Sequence, residues 1–384
     1  MSTEPRSSAS VPLVLIAGAG IGGLMLGTLL ERIGIPYAIL EHWSRDYISG
    51  SFFLFINLKG SAMSLKVNIL PVFEQLGLYN EFMKISYPTP ALNLFNQDMA
   101  KMGDVSYEGQ QEIARYPSVI FKRPKLYELL YKQIPASKIL LGKKILRATE
   151  ANNKVTVHCS DNTQYEGDIL VGADGAYSSV RQNLFKHLDE KGLLPRSDKE
   201  DFSVGYTCMV GVTEPQDPEK YPHLKDNFVH FQTVLGDRGL TAHKMLPGAG
   251  QGAINAMQDA FLLSSCLYDL PDTTPESITA AFKDYFDQRY EQAKQRIEQS
   301  RSTTKVMAGK TFTDKLVRTV MLNYMPKSLR SMSYAKMSAY RPQIAWLPLA
   351  KARGTGPVLH QKPSRRYAEE QEKAKASAAG ATPV

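Results

Sequence analysis

Three glycines and one acid near the start of the chain have types and a spacing that suit the binding of phosphates. Gly18, Gly20 and Gly23 complete a G-x-G-x-x-G pattern, and Glu41 follows them. In such a pattern the first glycine permits a tight turn, the second lets the backbone approach a pyrophosphate, and the third lets a helix pack closely on a strand. An acid after the next strand can accept a hydrogen bond from a ribose hydroxyl. Together these residues predict a dinucleotide site.

The sequence on both sides of the glycines predicts the strands and the helix that must position this site. The apolar run at 13–17 predicts a buried parallel strand, 21–32 predicts a helix that Gly34 ends, and 37–40 predicts a second strand with Glu41 at its carboxyl end. A membrane span over 11–30 is the competing interpretation. Five glycines in that window and the lack of an aromatic belt oppose it, and no charged segment precedes it as in a signal peptide.

A second informative stretch, GDILVGADGAYSSVR, covers 167–181. An apolar strand ends at Gly172, an Ala-Asp-Gly turn follows, and a helix is predicted to begin near Ser178. Asp174 therefore lies at the carboxyl end of a strand, where doubly wound sheets bind their ligands. The alternative is that Asp174 only supports the turn before the helix.

Two further segments have features that could bind a ligand, one through its backbone N–H groups and one through a positive charge. The glycine-rich turn at 247–252 leads into a helix, so its N–H groups converge on one point that suits an anionic or electron-rich ligand edge. Arg123 and Pro124 open a helix through Ile134. Strands are expected at 144–149, 154–159 and 165–171, and the strands at 202–212 and 227–235 are expected to form a second, antiparallel sheet.

Composition limits the remaining functional classes. The chain has 384 residues, 43% of them apolar, which is enough for one large or two ordinary domains. Its net charge of +8 is local, because 301–367 contains 14 Lys or Arg residues and the single acid Asp314. This pattern favours attraction to anionic lipid over nucleic acid, and no nucleic-acid module is present. A basic amphipathic helix at 313–332 could lie on a membrane or cover the core.

Three cysteines lie far apart without metal-ligand spacing: Cys159, Cys208 and Cys266. We therefore expect free, buried thiols and a reducing, cytoplasmic setting. A separate expectation is membrane association through the basic region. No Ser-His-Asp or Cys-His arrangement stands out, so no side chain is proposed as a nucleophile.

Taken together, GAGIGG at 18–23, Glu41, Arg123, the stretch at 167–181 and HKMLPGAGQGAINAMQDA at 243–260 resemble the FAD-dependent monooxygenases of the para-hydroxybenzoate-hydroxylase type, especially the fungal-type members. The resemblance implies an α/β fold, with a Rossmann-like, glutathione-reductase-like FAD-binding domain, a reduced antiparallel β substrate domain and C-terminal helices. It also implies the chemistry. NAD(P)H reduces the flavin, which then uses O2 to hydroxylate or epoxidise a small organic substrate.

The resemblance assigns roles to individual residues. Glu41 would bind the adenosine ribose and the three glycines of the first turn the pyrophosphate. Gly60 and Arg123 would contact the middle of FAD, and Asp174 would belong to a motif that serves FAD and NAD(P)H. Backbone at Gly250, Gly252 and Ala253 would face the isoalloxazine ring. No metal is implied.

Two departures from the family pattern concern the flavin end. Gly239 and His243 keep the spacing of the third family motif, but Leu240 replaces its acid, for which Asp237 is the candidate substitute. The span from Asp174 to the third motif is too short for a complete substrate sheet. Part of the substrate domain is therefore expected to be missing, and a catalytically impaired FAD-binding protein is the alternative function.

The expected organisation follows from these motifs. We expect a disordered terminus at 1–10, an FAD-binding domain at 11–200 and 240–305, a remnant of the substrate-domain sheet at 201–239, a C-terminal helical region at 306–367 and a disordered tail at 368–384.

Overall fold

The computed structural model describes residues 11–43, 62–107, 112–199, 214–235, 241–243, 250–309, 311–351 and 353–380. The chain divides into two compact units. Unit 1 comprises Met1–Gly60, Leu126–Met209 and Asp259–Asp284, and unit 2 comprises Ser61–Lys125, Val210–Gln258 and Tyr285–Val384. Within the ranges above, no helix is both long and apolar enough to cross a membrane.

Unit 1 contains a four-stranded parallel sheet. Its strands run in the order β12 (Ile169–Gly172), β1 (Val14–Ala17), β2 (Tyr37–Glu41) and β8 (Ile139–Leu141). Helix α1 (Ile21–Ile33) joins β1 to β2 and ends at Gly34, which adopts φ +68° in the left-handed region. Every residue of β1 is buried, as the continuous apolar run predicts for a strand covered on both faces.

A smaller antiparallel sheet completes the core of unit 1. It consists of β11 (Gln164–Gly167), β10 (Lys154–Cys159) and β9 (Ile145–Ala151), and helix α5 (Ser179–Glu190) follows β12. Alternate residues of β10 are buried, which is the pattern of a strand with one covered face. A cluster of buried side chains packs between the two sheets: Leu15, Ala17, Leu40, Ile145, Val157 and Cys159.

Unit 2 contains two sheets of its own. The first, antiparallel, has the order β3 (Ala62–Leu65), β7 (Val119–Lys122) and β4 (Ser86–Pro88). The second has the order β14 (Thr241–His243), β13 (Phe231–Leu235), β5 (Ala91–Asn96) and β6 (Lys101–Ser106). Helices α2 (Leu70–Gln75) and α3 (Tyr79–Lys84) pack on each other through Phe73 and Phe82, whose ring centroids lie 4.8 Å apart.

Six further α-helices lie in the described residues. Helix α4 (Arg123–Tyr131) follows β7 directly, and α6 (Gly250–Tyr268) and α7 (Pro275–Ala308) are the longest pair. Helix α8 (Phe312–Thr319) continues into a wider π-helical turn at Val320–Tyr324, and α9 (Lys327–Ser338) and α10 (Arg365–Gly380) follow.

The α/β class and the order of elements agree with the sequence, while several boundaries differ. The strand expected at 165–171 is two strands, β11 and β12, which pair in different sheets around Asp168. The sheet around β13 is mixed, because β13 pairs in parallel with β5 and antiparallel with β14. The expectation of a purely antiparallel sheet there was wrong, since it overlooked the β5–β6 hairpin as a partner.

Two expectations for the C-terminal region also differ from the structure. The single helix expected at 313–332 is broken, because Pro326 cannot continue the helical hydrogen bonding and instead precedes α9. The segment at 365–380 forms α10, where a disordered tail was expected over 368–384. Its Ala, Glu, Lys and Gln residues are strong helix formers, and that propensity outweighs their low hydrophobicity.

Candidate functional site

The structure brings the two glycine-containing turns of unit 1 together. Strands β1 and β12 are parallel neighbours, and the N–H of Ala173 donates to the carbonyl of Ala17 at 2.8 Å. Gly18 adopts φ +98°, and a Cβ at this position would lie 2.8 Å from the carbonyl oxygen of Ala173. A Cβ on Gly23 would lie 2.0 Å from the carbonyl oxygen of Gly18. The first and third glycines are therefore required by the protein's own packing.

Gly20 differs from its two neighbours in the pattern. Its φ is −71°, which any residue adopts, and the nearest atom to a Cβ there is 3.8 Å away. The protein itself thus does not require a glycine at this position. Gly20 is the N-cap of α1, where no side chain caps the helix and the first turn carries no acid. The free N–H groups and the positive end of the helix dipole form a ready anion site.

Glu41 connects the end of β2 to this turn. Its Oε2 accepts a hydrogen bond from the N–H of Ala19 at 2.6 Å, and its Oε1 accepts one from the N–H of Trp43 at 3.1 Å. His42 Nδ1 lies 2.8 Å from the same Oε1. The carboxylate is buried and is held by backbone donors. This geometry places an acceptor beside the phosphate turn, as the ribose-binding role requires.

Tyr127 is a neighbour of Glu41 that the sequence did not reveal. It lies in α4, one turn after Arg123, and its ring stacks on that of Tyr131 with centroids 6.0 Å apart. Burial raises the pKa of the Tyr127 phenol, and the negative charge of Glu41 raises it further. The phenol therefore stays protonated and can donate a hydrogen bond beside the acid. Its spacing of one helical turn from Arg123 was the available signal.

Asp174 has two different carboxylate oxygens. Oδ2 accepts hydrogen bonds from the N–H and Oγ of Ser179, at 2.7 and 2.9 Å, and so stabilises the start of α5. Oδ1 is buried and has no hydrogen-bond donor among the described residues. A buried carboxylate oxygen without a donor costs about 1–3 kcal/mol, which a hydroxyl of a ligand would offset. Support of the turn thus accounts for one oxygen and leaves the other available.

The remaining described candidates belong to unit 2. Arg123 is exposed at the start of α4, and no hydrogen-bond or ion-pair partner is found for it among the described residues. Gly250, Gly252 and Ala253 form the first turn of α6. A Cβ on Gly252 would meet no atom within 4 Å, so the backbone here is open to approach. Gly60, Asp237, Gly239 and Leu240 lie outside the described residues.

A buried arginine that no sequence pattern indicates supports the first turns of α6. Arg289 of α7 is 3% exposed, and its Nη2 donates to Asn255 Oδ1 at 2.9 Å. Its guanidinium also lies over the ring of Tyr340, 5.9 Å from the centroid. Because Asn255 follows Ala253 by half a turn, Arg289 fixes the backbone that the resemblance assigns to the flavin ring. No local pattern in the sequence connects these two helices.

The chemistry of the described donors fits the ADP half of FAD. The uncapped helix start suits the pyrophosphate, the open position at Gly20 gives it room, and Glu41 offers an acceptor for ribose. Among the described residues, no group of three His, Cys, Asp or Glu side chains could hold a metal ion. Cys159 and Cys266 are buried free thiols, as expected, and Cys208 lies outside the described residues.

Comparison with known proteins agrees with this geometry. Residues 12–194 match the family described as FAD binding domain. The chain is 25% identical to the FAD-dependent monooxygenase ausM of Penicillium brasilianum, over 89% of this chain and 90% of that protein. It is 30% identical to the FAD-dependent monooxygenase andE of Emericella variicolor, over 59% of this chain and 47% of that protein.

The alignment with ausM spans 443 positions, more than the 384 residues of this chain, so that relative carries residues that are missing here. Among solved structures, the fold is similar to HpxO of Klebsiella pneumoniae complexed with FAD and uric acid, with a TM-score of 0.61 and 18% identity. That likeness covers 86% of this chain and 97% of the HpxO chain, and it concerns the fold.

Proposed function

We propose that this chain, which is a member of the FAD-dependent monooxygenases, uses NAD(P)H and O2 to hydroxylate or epoxidise a small organic substrate. Bound FAD would supply the redox chemistry, accepting a hydride from the nicotinamide and activating O2. The observation that carries the proposal is the meeting of the glycine turn, Glu41 and the Asp174 turn at the carboxyl ends of β1, β2 and β12.

The proposal gives each candidate residue a task. The N-terminus of α1 binds the pyrophosphate, Glu41 accepts from the ribose, and Oδ1 of Asp174 accepts from a ligand hydroxyl. The open backbone of Gly252 and its neighbours is assigned to the isoalloxazine ring. Arg123 and Gly60 contact the middle of the cofactor, and Asp237 takes the place of the missing acid of the third motif.

The first experiment asks whether the acid of β2 binds the cofactor. Glu41→Gln keeps the volume of the side chain but removes the negative charge of the carboxylate, which accepts a hydrogen bond from the N–H of Ala19. We expect FAD affinity to fall by about tenfold or more, since a hydrogen bond to a charged group contributes about 1.5–3 kcal/mol. Glu31→Gln is the matched control, because Glu31 belongs to the same unit but pairs with Lys138 and Tyr37. Equal affinities for both variants would refute the role of Glu41.

The second experiment tests the reaction. The FAD-loaded full chain is given NADH or NADPH under ¹⁸O2 with a panel of phenols and isoprenoids. The proposal expects substrate-dependent consumption of the nicotinamide and one ¹⁸O atom in the product. Consumption that yields only hydrogen peroxide with every substrate would favour the catalytically impaired alternative. A loaded protein that oxidises neither nicotinamide would refute the NAD(P)H-dependent reaction.

We also propose that the basic C-terminal region contacts an anionic membrane surface. Helix α8 and the turn after it expose apolar side chains, among them Phe312 at 81% and Tyr324 at 74%, next to the exposed Lys315 and Lys327. Apolar side chains beside cations suit the boundary between acidic headgroups and acyl chains. This surface belongs to the segment that carries 14 Lys or Arg residues against one acid.

Vesicle sedimentation tests this contact. The full chain should bind vesicles that contain phosphatidylserine more strongly than pure phosphatidylcholine vesicles, and added salt should weaken that binding. Phe312→Asp should reduce binding, whereas Leu193→Asp, at a similarly exposed apolar residue of unit 1, should not. Equal binding by both variants would refute the assignment to α8.

A further inference from the structure

Helix α7 carries an apolar stripe that its own chain leaves exposed. Its large side chains are between 38% and 55% exposed: Phe282, Phe286, Tyr290 and Ile297. The rings of Phe286 and Tyr290 stack on each other with centroids 4.9 Å apart. The stripe extends about 22 Å along the helix, at 1.5 Å per residue. A continuous exposed apolar surface of this kind marks an interaction site.

The two sides of the stripe differ in character. On one side α7 is anchored to its own chain, through Arg289 to Asn255 and through Arg296, whose Nη2 donates to the carbonyl of Met337 at 2.9 Å. On the other side lie exposed charged residues of both signs, among them Lys283, Asp287, Lys294 and Glu298 in the order base, acid, base, acid. This orientation leaves the apolar stripe and the charged side facing solvent, where a partner can reach them.

We propose that a second copy of this chain packs on the stripe, with its α7 antiparallel to the first. A twofold axis next to Tyr290 places this ring against the same ring of the second copy, and Phe282 opposite Ile297. Because a twofold axis brings the same side of both helices together, Lys283 then faces Glu298, and Asp287 faces Lys294. Every contact except the Tyr290 pair at the axis occurs twice. A parallel twofold arrangement would instead place the two charged sides on opposite faces of the helix pair, where they could not contact each other.

The balance of charges distinguishes this partner from a membrane. The exposed bases and acids beside the stripe balance each other and give no net attraction to acidic lipid, in contrast to the basic surface around α8. The same alternation is self-complementary, which is the property that a twofold interface needs. A single helix stripe is smaller than the ~800 Å² per partner of a standard interface, so we expect a reversible dimer with a dissociation constant in the micromolar range.

Sedimentation velocity of the full FAD-loaded chain from about 1 to 200 μM tests the proposal, since that range brackets a micromolar dissociation constant. The wild type should shift from monomer to dimer. Phe286→Glu should remain monomeric over the whole range, because it places a charge in the apolar stripe of each copy, one helical turn from the twofold axis. Leu193→Glu, at another exposed apolar position, should dimerise like the wild type.

A charge exchange tests the register. Lys283→Glu and Glu298→Lys should each weaken the dimer by about 5- to 30-fold, because each creates two like-charge contacts, and the double variant should return to within about twofold of the wild type. FAD binding serves as the folding control for all variants. A wild type that stays monomeric at the highest concentration would overturn the proposal. A double variant as weak as the single ones would overturn the antiparallel register. If Phe286→Glu weakened vesicle binding but not self-association, a membrane would be the partner instead.

Discussion

Replacing Gly20 with alanine tests separately whether folding requires a glycine at this position and whether binding of the ligand requires one. The backbone at Gly20 has φ −71° and ψ −178°, which alanine adopts without strain, and the added methyl group would come no closer than 3.8 Å to any protein atom. Folding should therefore be unharmed. A Gly→Ala change at a compatible position reduces the entropy of the unfolded chain and stabilises a protein by about 0.4–1 kcal/mol.

Binding of FAD should respond in the opposite direction. The methyl group of Gly20→Ala would occupy the space in which the pyrophosphate approaches the first N–H groups of α1. Loss of one hydrogen bond to a charged phosphate oxygen costs about 1.5–3 kcal/mol, so the dissociation constant should rise by about 10- to 100-fold. Quenching of FAD fluorescence on titration with apoprotein measures this constant, and thermal unfolding of the apoprotein measures stability.

Gly23→Ala provides the contrast. Its methyl group would lie 2.0 Å from the carbonyl oxygen of Gly18, so α1 must move away from the turn. Overpacking of this kind costs about 1–3 kcal/mol and should lower the melting temperature of the apoprotein as well as the affinity. If Gly20→Ala bound FAD as tightly as the wild type, the placement of the pyrophosphate at α1 would be wrong. If it were as unstable as Gly23→Ala, the space that the structure shows around Gly20 would be wrong.

Three further changes test other parts of the structure. Asp174→Asn keeps an acceptor for Ser179 and should fold normally but bind FAD about tenfold more weakly, whereas unchanged affinity by the same titration would assign Asp174 to support of the turn. Arg289→Lys should shift the visible spectrum and the reduction potential of bound flavin, because it loosens Asn255, and a spectrum identical to that of the wild type would contradict this positioning role. Burial against the ring of Tyr107 lowers the pKa of Lys66 from 10.5 to about 8. The unfolded chain therefore binds a proton that the folded chain has lost, and stability should rise from about pH 8 towards pH 10. Denaturant titration of Lys66→Met should show a smaller rise, and an unchanged rise would exclude Lys66 as its source.

The first half of unit 1 was predictable because every signal there is local. The strand, turn, helix and second strand from Val14 to Glu41 each have a sequence pattern that matches their length, and Gly34 ends the helix as expected. The turn after β12 was equally readable. The pairing of β1 with β12 follows from the rule that ligand turns meet at the carboxyl ends of neighbouring parallel strands.

The parts that the sequence did not reveal depend on contacts between distant segments. The bond between Arg289 and Asn255 joins two helices, and no periodicity within either helix indicates the partner. The apolar side of α7 has a clear helical period, and the period alone cannot tell a buried face from an exposed one. The break in the expected helix at 313–332 was available in Pro326, whose effect outweighs the amphipathic pattern around it.

The content of FAD in the purified full chain tests the central claim most directly. The proposed site predicts a yellow protein that releases FAD on denaturation, or an apoprotein that takes up a single equivalent of added FAD and shows its visible absorption. A folded but colourless protein that binds no added FAD would contradict the placement of the ADP half at Gly18, Gly20, Gly23 and Glu41, and with it the proposed function.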